Sequence, residues 1–375
     1  MSKRFQRGLV VGKFSPLHRG HEFVINRALE ECVEVFLISY SKPEMPGCEA
    51  ARRDQWVSSI FPQVRHLAVT DERLREWIKP GQVSHEVPAN DAEEKTHRRF
   101  CGFLCQHILG VTMEAVFTSE DYGDGFAEEL TRYFRESQQA APTVTHVSVD
   151  RNRQKLPISG TLLRQDIHAH RGWLSPLVYA SFVQRVCLLG GESSGKSTLA
   201  EALAKEFNTS QVAEYGRELW DAKSGFLVFE DMKHIAEVQI QREETAAMHA
   251  NRFLFCDTSP LTTLLYSNHM FGKAETRLEL LAERNYAFTI FCVPDFSFVQ
   301  DGTRQPEAFR LRQHEWYLNE LAKRAIKYKL VTGSLNARIS QAREFLGLHG
   351  SHAAGGAGIP ARIFSQPASR AEYKD

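Results

Sequence analysis

At residue 190 the chain reads Gly190-Gly191-Glu192-Ser193-Ser194-Gly195-Lys196-Ser197-Thr198. It leaves the apolar run Val186-Cys187-Leu188-Leu189 and enters the helix-like Leu199-Ala200-Glu201-Ala202-Leu203-Ala204-Lys205-Glu206-Phe207. The pattern G-x-x-x-x-G-K-[ST] between a strand and a helix leaves few folds open. Its glycines let backbone N–H groups curl around a phosphate, and the helix N-terminus behind them adds its dipole. Lys196 is expected to reach the β- and γ-phosphates, and Ser197 to offer its hydroxyl to magnesium. A chance Gly-rich turn would lack the strand before and the helix after. A nucleoside triphosphate site is therefore expected here.

The motif does not say whether water or a substrate accepts the phosphoryl group. Phe253-Leu254-Phe255-Cys256-Asp257-Thr258 ends an apolar strand in a carboxylate, the place for a magnesium-organising group or for a base that takes a hydroxyl proton. An Asp that merely caps the next helix is the alternative. Asp301-Gly302-Thr303-Arg304-Gln305-Pro306, with Arg310 and Arg312, supplies cations that could close over a transferring phosphoryl group and exclude water. Arg304 is the best placed, because the Asp-Gly turn sets it at a bend. A solvated basic face is the competing reading.

Both halves of the chain alternate short β-rich runs with helical stretches. In the first half Leu9-Val10-Val11, Val33 to Ile38, Leu67-Ala68-Val69, Ala115-Val116-Phe117 and Val144 to Val149 read as strands, and His21 to Cys32 as a helix. In the second half Val186 to Leu189, Phe253 to Cys256 and Phe288 to Val293 read as strands. Such alternation predicts parallel sheets with right-handed crossovers and ligands at the carboxyl ends of the strands. The chain has 375 residues, enough for two cores. The pattern resets after Gly172-Trp173-Leu174-Ser175-Pro176, so the expected domains are 1–180 and 181–348, with a disordered tail over 349–375.

Charge and cysteine use narrow the class. Lys plus Arg and Asp plus Glu are equal at 46 each, so no overall field favours nucleic acid or a membrane, and anion sites must be built locally. The basic Met1 to Arg7 is followed by a short strand-like run rather than a signal-peptide core, and the expectation is a cytoplasmic protein with neither a DNA nor a membrane partner. Seven cysteines without a compact spacing framework read as reduced, buried thiols. His97, Cys101 and Cys105 are spaced four apart, with His107 nearby, and could share a zinc ion. One helix face rarely supplies a full tetrahedral set, so core cysteines are the preferred reading.

The first half carries Gly12-Lys13-Phe14-Ser15-Pro16-Leu17-His18-Arg19-Gly20-His21 at a strand end that leads into a helix. Free backbone N–H groups and the helix dipole favour phosphate there, and His18 and His21 can donate hydrogen bonds to phosphate oxygens. Ile158-Ser159-Gly160-Thr161-Leu162-Leu163-Arg164 offers hydroxyls and an amide at a second helix start, with Arg164 one turn on.

GKFSPLHRGH answered by ISGTLLR resembles the nucleotidyltransferase superfamily. These enzymes bring a phosphate nucleophile against the α-phosphate of ATP and release pyrophosphate, without a covalent intermediate. With the second-half motifs added, including Glu214-Tyr215-Gly216-Arg217-Glu218 and Asp257-Thr258 with Thr262-Thr263, residues from about Gly8 to Leu348 resemble the bifunctional NAD-salvage proteins of the NadR type. The resemblance implies an α/β chain of two doubly wound parallel-sheet domains, a Rossmann-like nucleotidyltransferase domain and then a P-loop kinase domain. It implies nicotinamide-nucleotide adenylyltransferase activity in the first and ribosylnicotinamide kinase activity in the second, with ATP at both sites and Mg2+ as cofactor.

Carried over by residue, Gly12, Lys13, Phe14, His18, His21, Ser159, Thr161 and Arg164 would hold ATP in the first site, with His18, His21 and Arg164 catalytic. In the second, Gly190 to Thr198 and Arg304 would hold ATP. Lys196 and Asp257 would be catalytic, Ser197 and Asp257 would hold the metal, and Glu214, Tyr215, Arg217 and Asp257 would face the nucleoside. The partners implied are ATP, nicotinamide mononucleotide and nicotinamide riboside, with a homo-oligomer left open.

Three departures stand out. Only a few residues precede the first strand, so DNA binding through the N-terminal helix-turn-helix of some relatives is not expected. Gly160 stands where serine or alanine is frequent. No aromatic residue occurs from Val83 to Glu94, where a ring that stacks on nicotinamide would be sought, the nearest tryptophans being Trp77 and Trp56. Two alternatives remain: a coenzyme A synthase-like fusion, against which the EYGRE and DT segments argue, and a nucleotide-sensing regulatory protein with a degenerate first site.

Overall fold

Apolar runs of four to eight residues become strands in this chain because helices cover both of their faces. In the computed structural model, which describes residues 3–78, 85–151, 153–295 and 307–347, the described residues fall into two compact units that part between Val178 and Tyr179. The first unit holds β1 (Phe5–Gly12), β2 (Cys32–Ser39), β3 (Arg65–Ala68), β4 (Ala115–Thr118) and β5 (Thr145–Ser148), in the order β3-β2-β1-β4-β5. All of its pairings are parallel. Phe36, Leu37 and Ile38 are consecutive and fully buried, as a strand covered on both faces requires. One face packs Leu9, Phe36, Ile38 and Val116 against Phe100, Phe126, Leu130 and Phe134.

The second unit repeats the plan with β6 (Gln184–Leu189), β7 (Gln211–Val212), β8 (Phe253–Asp257), β9 (Phe288–Cys292) and β10 (Lys329–Val331), ordered β10-β9-β6-β8-β7 and again parallel. One face packs Val186, Leu188, Phe253 and Phe255 on Leu199, Leu203 and Ala342. The other packs Leu189 and Phe291 on Ile235, Leu261, Leu264 and Tyr317. The α/β class with two parallel-sheet domains is thus the one the chain adopts. β7 and β10, two and three residues long at the sheet edges, carry no run that a hydrophobic pattern could reveal.

In both sheets the first strand lies in the middle and the chain then moves to either side of it. The crevice opened at the carboxyl end of that strand is where doubly wound sheets bind ligands. GKFSPLHRGH follows β1 and the Gly190 loop follows β6, so both motifs stand at such a point.

All seven cysteines are buried and free. Cys101 and Cys105 lie in the first core, and burial pushes the Cys101 thiol up to about 12. The helix Glu94–Phe103 gives way to a π-helical turn at Leu104–Ile108, which breaks the four-residue spacing assumed for a zinc set. His97 instead meets the Tyr40 hydroxyl at 3.0 Å. Among the described residues no group of three or more His, Cys, Asp or Glu side chains is arranged to hold a metal. No helix among them is long and apolar enough to cross a membrane. The tail over 349–375 lies outside the described residues.

Candidate active sites

In the first unit, β1 delivers Gly12 to Ser15 to the mouth of a cleft of about 350 Å³. Its lining brings together Gly12, Lys13, Phe14, His18, His21, Ser159, Thr161 and Arg164, which are far apart in sequence. Phe14, buried and at φ 45°, meets the His21 ring edge-on at 4.8 Å. His18 is the N-cap of the helix Arg19–Glu31, and its Nδ1 accepts the Gly20 N–H at 3.1 Å. His21 reaches back so that its Nδ1 accepts the His18 N–H at 3.4 Å.

These two bonds determine the tautomer. A neutral imidazole whose Nδ1 accepts must carry its proton on Nε2. Burial, with Arg153 and Arg164 close by, pushes His18 down to about 4, and burial, with His18 and Arg153 close by, pushes His21 well below the ordinary histidine value. The rings are therefore neutral in this structure, each with an Nε2–H left to donate. In the expected charge-stabilising role the pair would supply oriented dipoles and the arginines the positive charge.

The second anion element folds as the helix Gly160–Gln165, whose N-cap Ser159 accepts the Leu162 N–H at 3.2 Å. Its hydroxyl proton stays free for a ligand oxygen. Arg164 curls back to donate to Ser15 O at 2.7 Å and to Thr161 Oγ1 at 3.1 Å, tying the ISGTLLR helix to the histidine loop. A Cβ at residue 160 would lie 2.9 Å from Arg164 Nη1, so Gly160 makes room for that return. Burial and the Arg164 charge lower the Lys13 pKa.

Arg153 also lines the cleft and donates to Ile158 O at 3.2 Å and to Glu120 Oε1 at 2.5 Å. No motif singles it out. It sits after the last strand of the unit in a loop whose Asp150 carboxylate accepts the N–H groups of Lys155 and Leu156.

In the second unit a cleft of about 280 Å³ is lined by Gly190, Glu192 to Thr198, Glu214 and Arg217. Gly190 has φ 146°, and a Cβ there would stand 2.6 Å from Cys292 O. Gly191 gives its carbonyl to Lys196 Nζ at 3.1 Å. Gln313 accepts the Glu192 N–H at 2.7 Å, while the Tyr266 hydroxyl donates to Glu192 Oε1 at 2.7 Å.

Asp257 ends β8, is 3% exposed, and its Oδ1 has no hydrogen-bond partner among the described residues. A buried, unsatisfied carboxylate oxygen is costly unless a cation joins it. Asp257 and Ser197 therefore fit a magnesium ion, a hard cation that takes oxygen ligands. Burial pushes Glu214 up to about 7, with Lys196 pulling it down and Asp257 pushing it further up.

Two expectations change. Tyr215 does not line the cleft: its hydroxyl meets His234 at 3.3 Å and Arg242 lies over its ring at 4.5 Å. Glu214 caps the helix Tyr215–Ala222, and a step of one residue turns a helical side chain by roughly 100°, so Glu214 and Arg217 face the cleft while Tyr215 turns to the helix Phe229–Ala247. Of the expected lid arginines, Arg304 lies outside the described residues. Arg310 is buried and donates to Pro294 O at 2.5 Å, and Arg312 lies over the Phe309 ring at 5.8 Å. The apolar end of the cleft is built from Trp220, Leu227, Met232, Ile235 and Met270. These residues read as ordinary helix faces in the sequence and were not anticipated.

A family described as an AAA domain matches residues 185–338. The chain is 26% identical over 318 residues to the trifunctional NAD biosynthesis/regulator protein NadR of Escherichia coli, which covers 79% of this chain and 71% of that protein. It is 27% identical over 313 residues to the NadR of Salmonella typhimurium, with the same coverage. Among solved structures, a NadR protein in complex with NAD and AMP-PNP superposes with TM-score 0.65 at 18% identity, over 94% of this chain and 100% of the other. A NadR protein in complex with NR superposes with TM-score 0.65 at 18% identity, over 95% and 99%. Those two likenesses extend over both units and carry the fold.

Proposed function

We propose that this chain, a protein of the NadR type, makes NAD in two ATP-dependent steps, one in each unit. The second unit phosphorylates nicotinamide riboside to nicotinamide mononucleotide, and the first adenylylates that product to NAD with release of pyrophosphate. The observation that carries the reading is the pairing of two complete phosphate cradles in one chain. One has the stacked His18 and His21 in a cleft shared with the helix Gly160–Gln165, and the other has the Gly190 loop after β6 next to the end of β8, where Asp257 lies in register with Leu188. Relatives named for NAD biosynthesis, and a solved structure with NAD and an ATP analogue, support it.

In the second unit Lys196 leaves Gly191 O for the β- and γ-phosphates, and the amides of the loop hold them. Magnesium, held by Ser197 and Asp257, would neutralise charge on the transferring group. Glu214 stands beside Lys196 as a carboxylate able to take the proton that leaves the nucleoside hydroxyl. The apolar end of the cleft, with Trp220, suits the nicotinamide ring. In the first unit the mononucleotide's phosphate oxygen attacks the α-phosphorus of ATP and the bond to pyrophosphate breaks. His18 and His21 donate to phosphate oxygens through Nε2–H, and Arg164, Arg153 and Lys13 balance the charge passed to the leaving group.

The test incubates the full chain with ATP, magnesium and either nicotinamide riboside or nicotinamide mononucleotide, and follows ADP, pyrophosphate and NAD. ADP with mononucleotide but no NAD overturns the adenylyltransferase half. No turnover of either compound favours a nucleotide sensor, and turnover with pantetheine phosphate instead favours the coenzyme A reading.

A further inference from the structure

Thr118, the last residue of β4, is 5% exposed and lines the first-unit cleft on the strand next to β1, which carries the histidine loop. Its Oγ1 lies 2.9 Å from His146 Nε2, and His146 Nδ1 lies 2.8 Å from Asp124 Oδ1. Gly123 completes the arrangement: a Cβ there would sit 2.0 Å from His146 Nε2, so the space that the imidazole fills exists only because residue 123 has no side chain. No sequence motif pointed to His146, which is one residue of a short edge strand.

The proton positions follow from the partners. A carboxylate only accepts, so His146 Nδ1 carries a proton, and in the neutral ring its Nε2 accepts from the Thr118 hydroxyl. Among the described residues the one competing acceptor for that hydroxyl proton is Glu120 O at 3.2 Å, while Oγ1 receives the Glu120 N–H at 3.4 Å. Either way the hydroxyl has no proton left for a ligand and can only accept. The same loop carries Glu120, the partner of Arg153, whose charge reaches His18 and His21.

We propose that Asp124, His146 and Thr118 form a fixed hydrogen-bond chain that makes the Thr118 hydroxyl an obligate acceptor in the adenylyl-transfer cleft, where it takes a hydrogen bond from a donor group of ATP. This rests on the reading of the first unit as an adenylyltransferase. The donors ATP offers are its ribose hydroxyls and its exocyclic amine. His146 is a positioning residue: it acts on the nucleotide only through Thr118.

The two amide substitutions separate the halves of the chain. His146→Gln places an amide oxygen near the position of Nε2 and keeps the Thr118 contact, whereas His146→Asn ends near Nδ1 and keeps only the Asp124 contact. For the full chain, His146→Asn, Gly123→Ala and Thr118→Val are expected to raise the KM for ATP in NAD formation about three- to tenfold, with a smaller change in kcat, while His146→Gln stays near wild type. A urea melt of each variant reports loss of folding in the first unit, and ADP formation from nicotinamide riboside, measured in the same samples, reports loss in the second. A second arm uses 2′-deoxyATP, 3′-deoxyATP and inosine triphosphate. The analogue that lacks the partnered donor is expected to lose as much in the wild type as ATP loses in Thr118→Val, with no further loss when both changes are combined.

Equal effects of His146→Asn and His146→Gln, or three analogues that all remain additive with Thr118→Val, overturn the proposal. Binding of α,β-methylene-ATP to the first site, read by calorimetry in a Lys196→Ala background, repeats the comparison without turnover. A first unit that bound nucleotide through Thr118 yet made no NAD would therefore overturn the adenylyltransferase reading and leave this one standing.

Discussion

The rings of His18 and His21 stack with centroids 3.7 Å apart and planes 22° apart, each with Nδ1 turned to a backbone N–H. Two cations would repel at that distance, and the buried setting disfavours even one. The stack is stable because both rings are neutral, and neutrality with Nδ1 engaged aims both Nε2–H groups outward. The two side chains that cap the helix Arg19–Glu31 are thus the same two proposed to bind phosphate.

His21→Ala removes one such donor. NAD formation is expected to fall about 10²- to 10³-fold, the range seen when one oriented donor is lost. ADP formation from nicotinamide riboside should be unchanged, and a parallel loss of both activities in a folded chain would refute two separate sites.

Lys196→Ala should do the converse. ADP formation is expected to fall by at least about 10²-fold, and NAD formation from supplied nicotinamide mononucleotide should persist. The measurement is a pair of progress curves on one preparation.

The first unit should lose stability in mild acid. His18 has its folded pKa depressed to about 4 from an ordinary 6.5. Between those values the unfolded chain binds a proton that the folded ring refuses, so this contribution is present above 6.5 and is lost as pH falls towards 4. Urea melts of wild type and His18→Gln across that window should converge at the acid end, the variant showing the shallower slope.

Asp257→Asn should weaken magnesium use by the second unit, because the orphaned Oδ1 is the oxygen a cation would take. The expected result is a higher magnesium concentration for half-maximal ADP formation together with a lower kcat. Normal magnesium dependence would refute that role for Asp257, since the helix that follows is capped by Ser259, whose hydroxyl accepts the Leu261 N–H.

Glu243 is a structural counterpart, with a side chain 0% exposed, 3.0 Å from Arg284 and 2.8 Å from the Tyr286 hydroxyl. Glu243→Ala leaves Arg284 with Glu244 as its one remaining ion-pair partner among the described residues. A destabilisation of about 3 to 5 kcal/mol is expected from breaking a buried pair on one side, read from denaturation midpoints.

The strands around Val10, Phe36, Val116, Leu188, Phe255 and Ile290 were legible because each is a continuous apolar run, which a parallel strand buried on both faces must be. Both phosphate loops were legible because amide and glycine chemistry at a strand end depends on local order. β7 and β10 were not, being two and three residues at sheet edges with part of their surface in solvent. Tyr215 was misplaced because one helical step separates it from Glu214, and composition does not show which face of a helix meets a cleft. Arg153, His146 and Trp220 escaped notice because their neighbours lie far along the chain.

The sequence by itself determined two α/β units and the loop motifs that stand at the ends of β1 and β6, since periodicity and short-range motifs are written in consecutive residues. Only the tertiary structure decided which histidine nitrogen carries the proton, which carboxylate oxygen is left unpaired at the end of β8, and that a glycine at 123 makes room for a histidine at 146. Those are properties of atoms placed in space, whether the partners are near in sequence, as His18 and Gly20 are, or far apart, as Gly123 and His146 are, and a hydrogen bond or a desolvated charge exists only once both partners have been placed.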